Sequence, residues 1–270
     1  MKIPQKCHKT ISSCKLCKMG TKKKKNLQII CPLVSILSIL LLWTIFSIKI
    51  DSEYILPSFF DVIKKIVKLL GSKTFYIAVA NTILRVLLSF LVSFLLSLSL
   101  SFFAYKNKVA QSFIVPFIKI LRALPTIAIV LLLLFWTSSK TAPIIVTMLV
   151  IIPTLYTDLF NAFCGIDKEL TEMCIVFNVS KRDRLFKVEF PQVLPSLLYS
   201  VGAGLSLNFK LMVAAEVIAQ TAKSLGYLLN TAKVYYEIAE MLALVLVVVV
   251  LAVVVESIFC FFAKKAGKNL

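Results

Sequence analysis

Long runs of uncharged apolar residues are the feature that most constrains this chain. The first run, residues 27–48, contains no charged residue, and a helix of this length, rising about 1.5 Å per residue, crosses a hydrocarbon core of roughly 30 Å. With 59% hydrophobic residues and a mean hydropathy of +0.92, the chain is too apolar for one soluble core. Only helices and closed barrels satisfy their backbone polar groups in a bilayer, and these runs far exceed the roughly ten residues of a barrel strand. The sequence therefore predicts an all-α integral membrane protein.

About six segments have the length and composition of transmembrane helices. Because Lys and Arg are retained on the cytoplasmic side, we expect both termini in the cytoplasm, with nineteen of the 31 Lys and Arg residues in cytoplasmic segments and eight in external ones. This topology accounts for the formal net charge of +18 without nucleic acid, since the cations do not form one basic face interleaved with aromatics. The predicted spans are residues 27–48, 75–105, 114–137, 141–163, 192–219 and 241–263.

The segments between the spans divide the chain further. Residues 1–26 are predicted to form a basic cytoplasmic tail, residues 49–73 an external amphipathic segment, and residues 264–270 a cytoplasmic end. In the external segment, apolar residues recur at helical spacing from Phe59, which is typical of a helix lying on a membrane surface. The core is then residues 74–263, with a long cytoplasmic loop between the fourth and fifth spans.

That loop, residues 165–195, is too patterned for a simple connection. Apolar residues at positions 170, 173, 174 and 177 fall on one face of a short helix, and acidic residues at its start suit the helix dipole. Asn178 enters a left-handed turn at little cost, and Ser180 with Asp183 matches a capping pattern. A second short helix follows, which Pro191 and Pro195 are expected to stop. The loop is therefore predicted to be a stiff helical knob.

The spacing within this loop resembles a known signature. Glu172-Met173-Cys174, then three residues, Asn178, nine residues and Val188-Glu189-Phe190-Pro191 is similar to the EAA motif of permeases of ATP-binding cassette importers, Glu-Ala-Ala-x3-Gly-x9-Ile-x-Leu-Pro. The spacing is matched throughout, whereas Met173 and Cys174 replace the two Ala residues and Asn178 replaces the Gly. These larger side chains change the fit to a partner.

Other blocks of the chain resemble the same family. They are similar to the branch for sulfonates, taurine and nitrate, which includes permeases for thiamine precursors, and the resemblance covers roughly residues 50–263. The blocks are Leu56-Pro57-Ser58, Asn81-Thr82-Ile83-Leu84-Arg85-Val86, Leu121-Arg122-Ala123-Leu124-Pro125, Ala215-Glu216-Val217 and Leu225-Gly226-Tyr227.

The resemblance implies a function and a set of partners. It implies a homodimeric permease of the cell inner membrane that works with an external solute-binding protein and a separate ATPase subunit, so that ATP hydrolysis lies in the partner and this chain needs no cofactor. The cytoplasmic knob would be the coupling helix that docks on the ATPase, moving by rigid-body rotation as nucleotide is hydrolysed. The implied docking residues are Glu169, Glu172, Met173, Cys174, Phe177, Asn178 and Pro191.

Four ionisable residues inside or beside the spans are candidates for the solute pathway. They are Lys210, Glu216, Arg122 and Arg85. Such groups face a cavity or a partner rather than lipid. Lys210 suits an anionic solute, but it can equally pair with an acid such as Glu216 or Asp158, and the two arginines can instead hold helices together.

The remaining alternatives concern metals and other kinds of membrane protein. Cys7, Cys14 and Cys17 offer soft ligands, but no second paired half completes a metal site. A membrane scaffold or binding protein would need the knob without the ionisable groups. A stand-alone secondary carrier usually shows two related halves, and an enzyme would need clustered acids or histidines at one depth; neither feature is visible.

Overall fold

The computed structural model describes residues 21–50, 52 and 55–268. The chain divides into two compact units, Met1–Phe60 and Asp61–Leu270. In the first unit, helix α1 spans Thr21–Ile50, and Trp43 Nε1 donates a hydrogen bond to the carbonyl oxygen of Pro57 at 3.2 Å, which folds the connecting segment back along the end of α1. The tail cysteines considered above as metal ligands lie outside the described residues.

The second unit is built from helices, and no strand occurs among the residues described. The all-α prediction is therefore confirmed. Within the described part of the chain, four helical segments are long and apolar enough to cross a membrane, and the number is five if a bent pair of helices counts as one span. The elements that follow α1 along the chain are α2 (Phe59–Leu70), α3 (Lys73–Lys106), α4 (Lys108–Ala123), α5 (Thr126–Trp136), α6 (Ala142–Cys164), α7 (Lys168–Val176), α8 (Lys181–Arg184), a π-helical turn (Leu185–Glu189), α9 (Phe190–Ala219), α10 (Leu225–Val234) and α11 (Ile238–Lys268).

Helices α3, α6 and α9 pack closely because their buried faces carry small residues. Ser89, Ser93, Ser97 and Ser101 of α3 recur every four residues and are fully buried, and Ser97 donates its hydroxyl to the carbonyl oxygen of Ile152 in α6 at 3.0 Å. A Cβ atom on Gly204 would lie 2.8 Å from Leu155 and 3.1 Å from Phe90. In lipid, where apolar surface alone gives little drive for association, such close packing holds helices together.

The predicted span over residues 114–137 is not one continuous helix. Helices α4 and α5 meet at an angle of 92°. Leu124 is extended, with ψ at 128°, because the ring of Pro125 disfavours the helical conformation of the residue before it. The chain therefore turns sharply at Leu124-Pro125, within one of the sequence blocks that resembles the importer family.

The prediction that Pro191 and Pro195 stop the second loop helix is wrong. The helix continues from Lys181 to Ala219, passing through a π-helical turn in which the Phe190 N–H donates to the Leu185 carbonyl oxygen. A proline in a regular helix clashes with the carbonyl group four residues earlier, and the wider turn relieves such a clash. The second half of the loop, from Lys181 onward, and α9 are consequently one continuous helical arm.

Candidate functional site

The loop between α6 and α9 folds as two short helices around a tight turn. Asp167 caps α7 by accepting a hydrogen bond from the Glu169 N–H at 2.8 Å. Asn178 adopts the predicted left-handed conformation, with φ at 51°, and the next N–H, of Val179, donates back to the Cys174 carbonyl oxygen at 2.9 Å. The Asn at the motif's glycine position therefore preserves the turn.

Ser180 caps the second helix in the manner predicted. Its hydroxyl accepts from the Asp183 N–H at 3.1 Å and donates to the Asp183 carboxylate at 2.7 Å. Lys187 Nζ then pairs with the same carboxylate at 2.8 Å on the solvent-exposed surface. These local bonds define the shape of the loop independently of the membrane helices.

The apolar side chains of α7 are not covered by the rest of the described chain. Met173 is 53% exposed, Val176 77% and Phe177 74%. Glu172 is also exposed and Cys174 is partly exposed. Contiguous exposed apolar side chains on a polar helix are typical of an interface that awaits a partner.

The loop is tied firmly to the start of α9. The Asp167 N–H donates to the Gln192 side-chain oxygen at 2.9 Å, and Arg184 Nε pairs with Glu189 Oε1 at 3.1 Å. Glu189 is only 8% exposed, so this pair is largely shielded from water. The covalent arm and these contacts therefore connect the loop to the start of α9.

A second polar site joins α3, α9 and α10 within the membrane helices. Glu216 is fully buried. Its Oε1 lies 2.8 Å from Arg85 Nη1, while its Oε2 accepts from the Thr82 hydroxyl at 2.9 Å and from the Gly226 N–H at 3.3 Å. The Leu225 N–H in turn donates to Thr82 Oγ1 at 3.1 Å. Both oxygens of this carboxylate are therefore occupied by protein donors.

Gly226 is required by this arrangement, because a Cβ atom there would overlap the side chain and backbone of Glu216. The loop before it turns through left-handed Gln220 and Lys223, and Ser224 caps α10 by accepting from the Tyr227 N–H at 3.0 Å. The Ala-Glu-Val and Leu-Gly-Tyr blocks of the sequence thus form one structural unit.

Thr82 is a member of this unit that was not among the candidate residues. It lies one helical turn before Arg85, so both side chains project from the same face of α3. Thr82 and Arg85 are polar residues three positions apart within an apolar span, and this pattern is the sequence signal that could have identified Thr82.

Arg122 occupies a different place. Its Nη2 donates to the carbonyl oxygen of Pro153 at 3.0 Å and also to the Thr157 hydroxyl. The guanidinium therefore joins the end of α4 to α6, close to the bend at Leu124-Pro125. The structure brings Arg85 and Glu216 together but leaves Arg122 apart from them.

Lys210 has neither an ion pair nor a hydrogen bond among the described residues, and its side chain is exposed on α9. It borders a groove of about 220 Å³ between α9, α10 and α11, whose other lining residues are apolar. Glu216 is engaged with Arg85, so the described chain supplies no acid to Lys210.

Glu256 lies in α11, within the predicted span of residues 241–263. It is exposed and unpaired among the residues that the structure describes. Its backbone lies beside α9, since a Cβ atom on Gly202 would be 3.4 Å from the Glu256 carbonyl oxygen. Lys210 and Glu256 are thus two charges in apolar helices for which the described part of the chain supplies no counter-ion.

Comparison with known proteins shows which family has this architecture. Residues 93–268 match the family model described as "Binding-protein-dependent transport system inner membrane component". The chain belongs to this family. It is a transmembrane permease subunit of an ATP-binding cassette importer, as the sequence motifs indicated, and is therefore a multi-pass protein of the inner membrane.

Individual relatives cover most of the permease. It is 22% identical over 232 residues to the putative aliphatic sulfonates transport permease protein SsuC of Bacillus subtilis, covering 85% of this chain and 84% of the relative. It is also 22% identical over 220 residues to the taurine transport system permease protein TauC of Escherichia coli, covering 79% of this chain and 80% of the relative.

Solved structures share the fold of the permease. The MetNI methionine ABC transporter in an inward-facing conformation matches with a TM-score of 0.60 at 17% identity, covering 70% of this chain and 94% of that chain. An amino acid ABC transporter matches with a TM-score of 0.60 at 15% identity, covering 71% and 94%. These likenesses show that the chain shares the fold of these importer permeases over about 70% of its length.

Proposed function

We propose that the permease imports a small organic solute or anion by alternating access, driven by a separate ATPase subunit that docks on the loop of residues 165–195. The observation that carries this proposal is the exposed apolar face of α7 on a loop tied to α9. A partner that covers this face and moves on nucleotide binding displaces a helical arm that runs from Lys181 to Ala219. The conversion of ATP chemistry into motion then needs no catalytic residue in this chain.

The docking surface consists of the residues that the importer motif indicates. Phe177 and Met173 supply the apolar contacts that dominate many interfaces, while exposed Glu169 and Glu172 supply charge at the rim. Cys174 and Asn178 form the turn behind them, and Pro191 lies where the loop joins the membrane arm. The permease is thereby proposed to partner an ATPase subunit on the cytoplasmic side, with both chain termini on that side.

The solute pathway is proposed to follow the exposed face of α9. Lys210, Ala203 and Tyr199 lie on this face, and Lys210 has no partner among the residues that the structure describes. A lysine at the centre of a membrane helix costs roughly 2.5–3.5 kcal/mol even on lenient insertion scales, so a face carrying one borders a water-filled pathway or a second copy. In a homodimer that encloses this face, Lys210 would border both a water-filled pathway and the second copy of the chain. A fixed cation in such a pathway suits a sulfonate, nitrate or carboxylate solute.

Arg85, Glu216 and Arg122 are proposed to hold the helices in register rather than to contact solute. Each is bonded to protein groups, and Glu216 is closed to solvent. The names of the similar permeases favour a sulfonate or taurine as solute, delivered by an external solute-binding protein. The amphipathic helix α2 and the short helix α10 are proposed to lie on the external side.

Co-purification with ATPase subunits from the same genome tests the docking proposal. The permease is solubilised in mild detergent as wild type and with the double substitution Glu172→Lys, Phe177→Asp. A matched control, Lys233→Glu with Tyr235→Asp, changes an exposed cation and an exposed aromatic at the α10–α11 turn. We expect the ATPase to be retained by wild type and control and lost from the loop variant. Equal retention by all three proteins would show that the partner docks elsewhere.

A further inference from the structure

An apolar groove lies where the docking loop returns to the membrane helices. Its volume is about 450 Å³, within the range of roughly 300–1,000 Å³ that is usual for ligand sites. One wall is the end of α3, and the other is the π-helical turn with the start of α9. Its apolar lining includes Leu98, Phe102, Phe103, Phe163, Leu185 and Val193.

The groove opens outward rather than into the protein core. Phe103 is 63% exposed and Phe190 is 49% exposed. Ordered water gains few hydrogen bonds in such a space, because buried waters need two to four polar partners. A groove with carbon walls at the edge of membrane-spanning helices is instead filled favourably by an apolar chain.

The mouth of the groove carries an uncompensated positive charge. The Lys106 ammonium lies 5.7 Å from the ring centroid of Phe102 and 5.4 Å from that of Tyr105, and both rings line the groove. Arg184 is neutralised by Glu189 at 3.1 Å, whereas Lys106 has no acidic partner among the described residues. An occupant with an apolar tail and an anionic head complements this combination.

We propose that this groove binds an anionic phospholipid, with an acyl chain along the apolar walls and the phosphate against Lys106. Basic pockets between transmembrane helices on the cytoplasmic side are known to suit anionic headgroups. The lipid would contact Leu185, Glu189 and Phe190, which form the turn that connects the docking loop to α9. Lipid binding would therefore stabilise the segment through which docking motions pass, and this inference holds whichever solute the permease carries.

Native mass spectrometry of the purified full-length chain tests the site. The protein is exchanged into mild detergent and titrated with phosphatidylglycerol or with phosphatidylcholine of the same acyl chains. Five proteins are compared: wild type, Lys106→Gln, Lys106→Arg, Lys108→Gln as a matched exposed cation two residues away, and Ser99→Phe, which fills the groove from its exposed wall. Size-exclusion profiles and thermal midpoints establish that each variant is folded.

We expect wild type and Lys108→Gln to bind phosphatidylglycerol in preference to phosphatidylcholine. Lys106→Gln should lower phosphatidylglycerol affinity by about fivefold, the effect of one cation near a charged membrane surface, and leave phosphatidylcholine binding unchanged, while Lys106→Arg restores the preference. Ser99→Phe should reduce binding of both lipids. Equal binding of the two lipids by wild type, an equal effect of the two lysine substitutions, or no lipid retained by wild type would each overturn the proposal.

Discussion

The Arg85–Glu216 ion pair provides the sharpest test of how the membrane helices are held together. It joins residues 131 positions apart at 2.8 Å, with the Glu216 side chain fully buried and that of Arg85 13% exposed. Replacing Arg85 by Met leaves a buried carboxylate without its counter-ion. Replacing Glu216 by Gln retains a side-chain oxygen for Thr82 and Gly226 but leaves the guanidinium unpaired.

The expected magnitude follows from burial. Removing one partner of a buried pair costs about 3–5 kcal/mol, because the remaining charge stays in a medium of low dielectric. In a protein of this size each kcal/mol corresponds to about 2–4 °C in the midpoint of unfolding, so each single substitution should lower that midpoint by roughly 6–20 °C. The double variant, in which no charge is left uncompensated, should lose less than the sum of the two single losses.

A double-mutant cycle in one detergent, followed by thermal unfolding, measures these differences. The control is Arg122→Met, which removes a cation whose hydrogen bonds go to the neutral oxygens of Pro153 and Thr157 and not to a buried carboxylate. If the pair is structural, the double variant should lose less stability than the sum of the two single losses, and the Arg122→Met control should lose less stability than either single variant. If the Arg85 and Glu216 variants unfold at the wild-type temperature but lose solute uptake, the pair belongs to the solute pathway and the argument from burial is refuted.

Three further predictions follow from the same geometry. Gly226→Ala should lower the unfolding midpoint because its methyl group overlaps Glu216, whereas Gly71→Ala, whose nearest contact is at 3.5 Å, should have little effect; a midpoint unchanged by both would contradict the packing. Lys210→Met should reduce uptake of an anionic solute in cells expressing the whole importer while leaving the unfolding midpoint intact, and undiminished uptake would place the pathway elsewhere. The hydrogen bond from Lys65, at 2.7 Å, lowers the pKa of Glu237 below 4.5 and raises the pKa of Lys65 above 10.5. This exposed pair should add less than about 1 kcal/mol to the free energy of unfolding, and this contribution should be present from about pH 5 to about pH 10. It should decline in acid as the Glu237 carboxylate is protonated, and in alkali as Lys65 loses its proton. A Lys65→Gln variant whose unfolding has the same pH profile as that of wild type would refute this prediction.

Local features of the docking loop were predictable because the residues that determine them are neighbours in sequence. Asn178 takes up the left-handed turn, and Ser180 caps the helix that follows with Asp183. The break between α4 and α5 had a local signal as well, the dipeptide Leu124-Pro125, but the length of the apolar run obscured it. The passage of the helix through Pro191 was unforeseen, because a π-helical turn has no reliable sequence pattern.

The sequence by itself determined that the chain is helical and lies in a membrane, since apolar length and charge distribution act without reference to distant residues. It also determined the loop motif, whose spacing is a property of a short helix and a turn. Only the tertiary structure decided what each ionisable residue does. Glu216 and Arg85 neutralise each other, whereas Lys210 is left exposed, because the packing of α3 against α9 determines which side chains meet. A buried charge without a counter-ion costs several kcal/mol, and the sequence of a single helix does not show which charges will be buried.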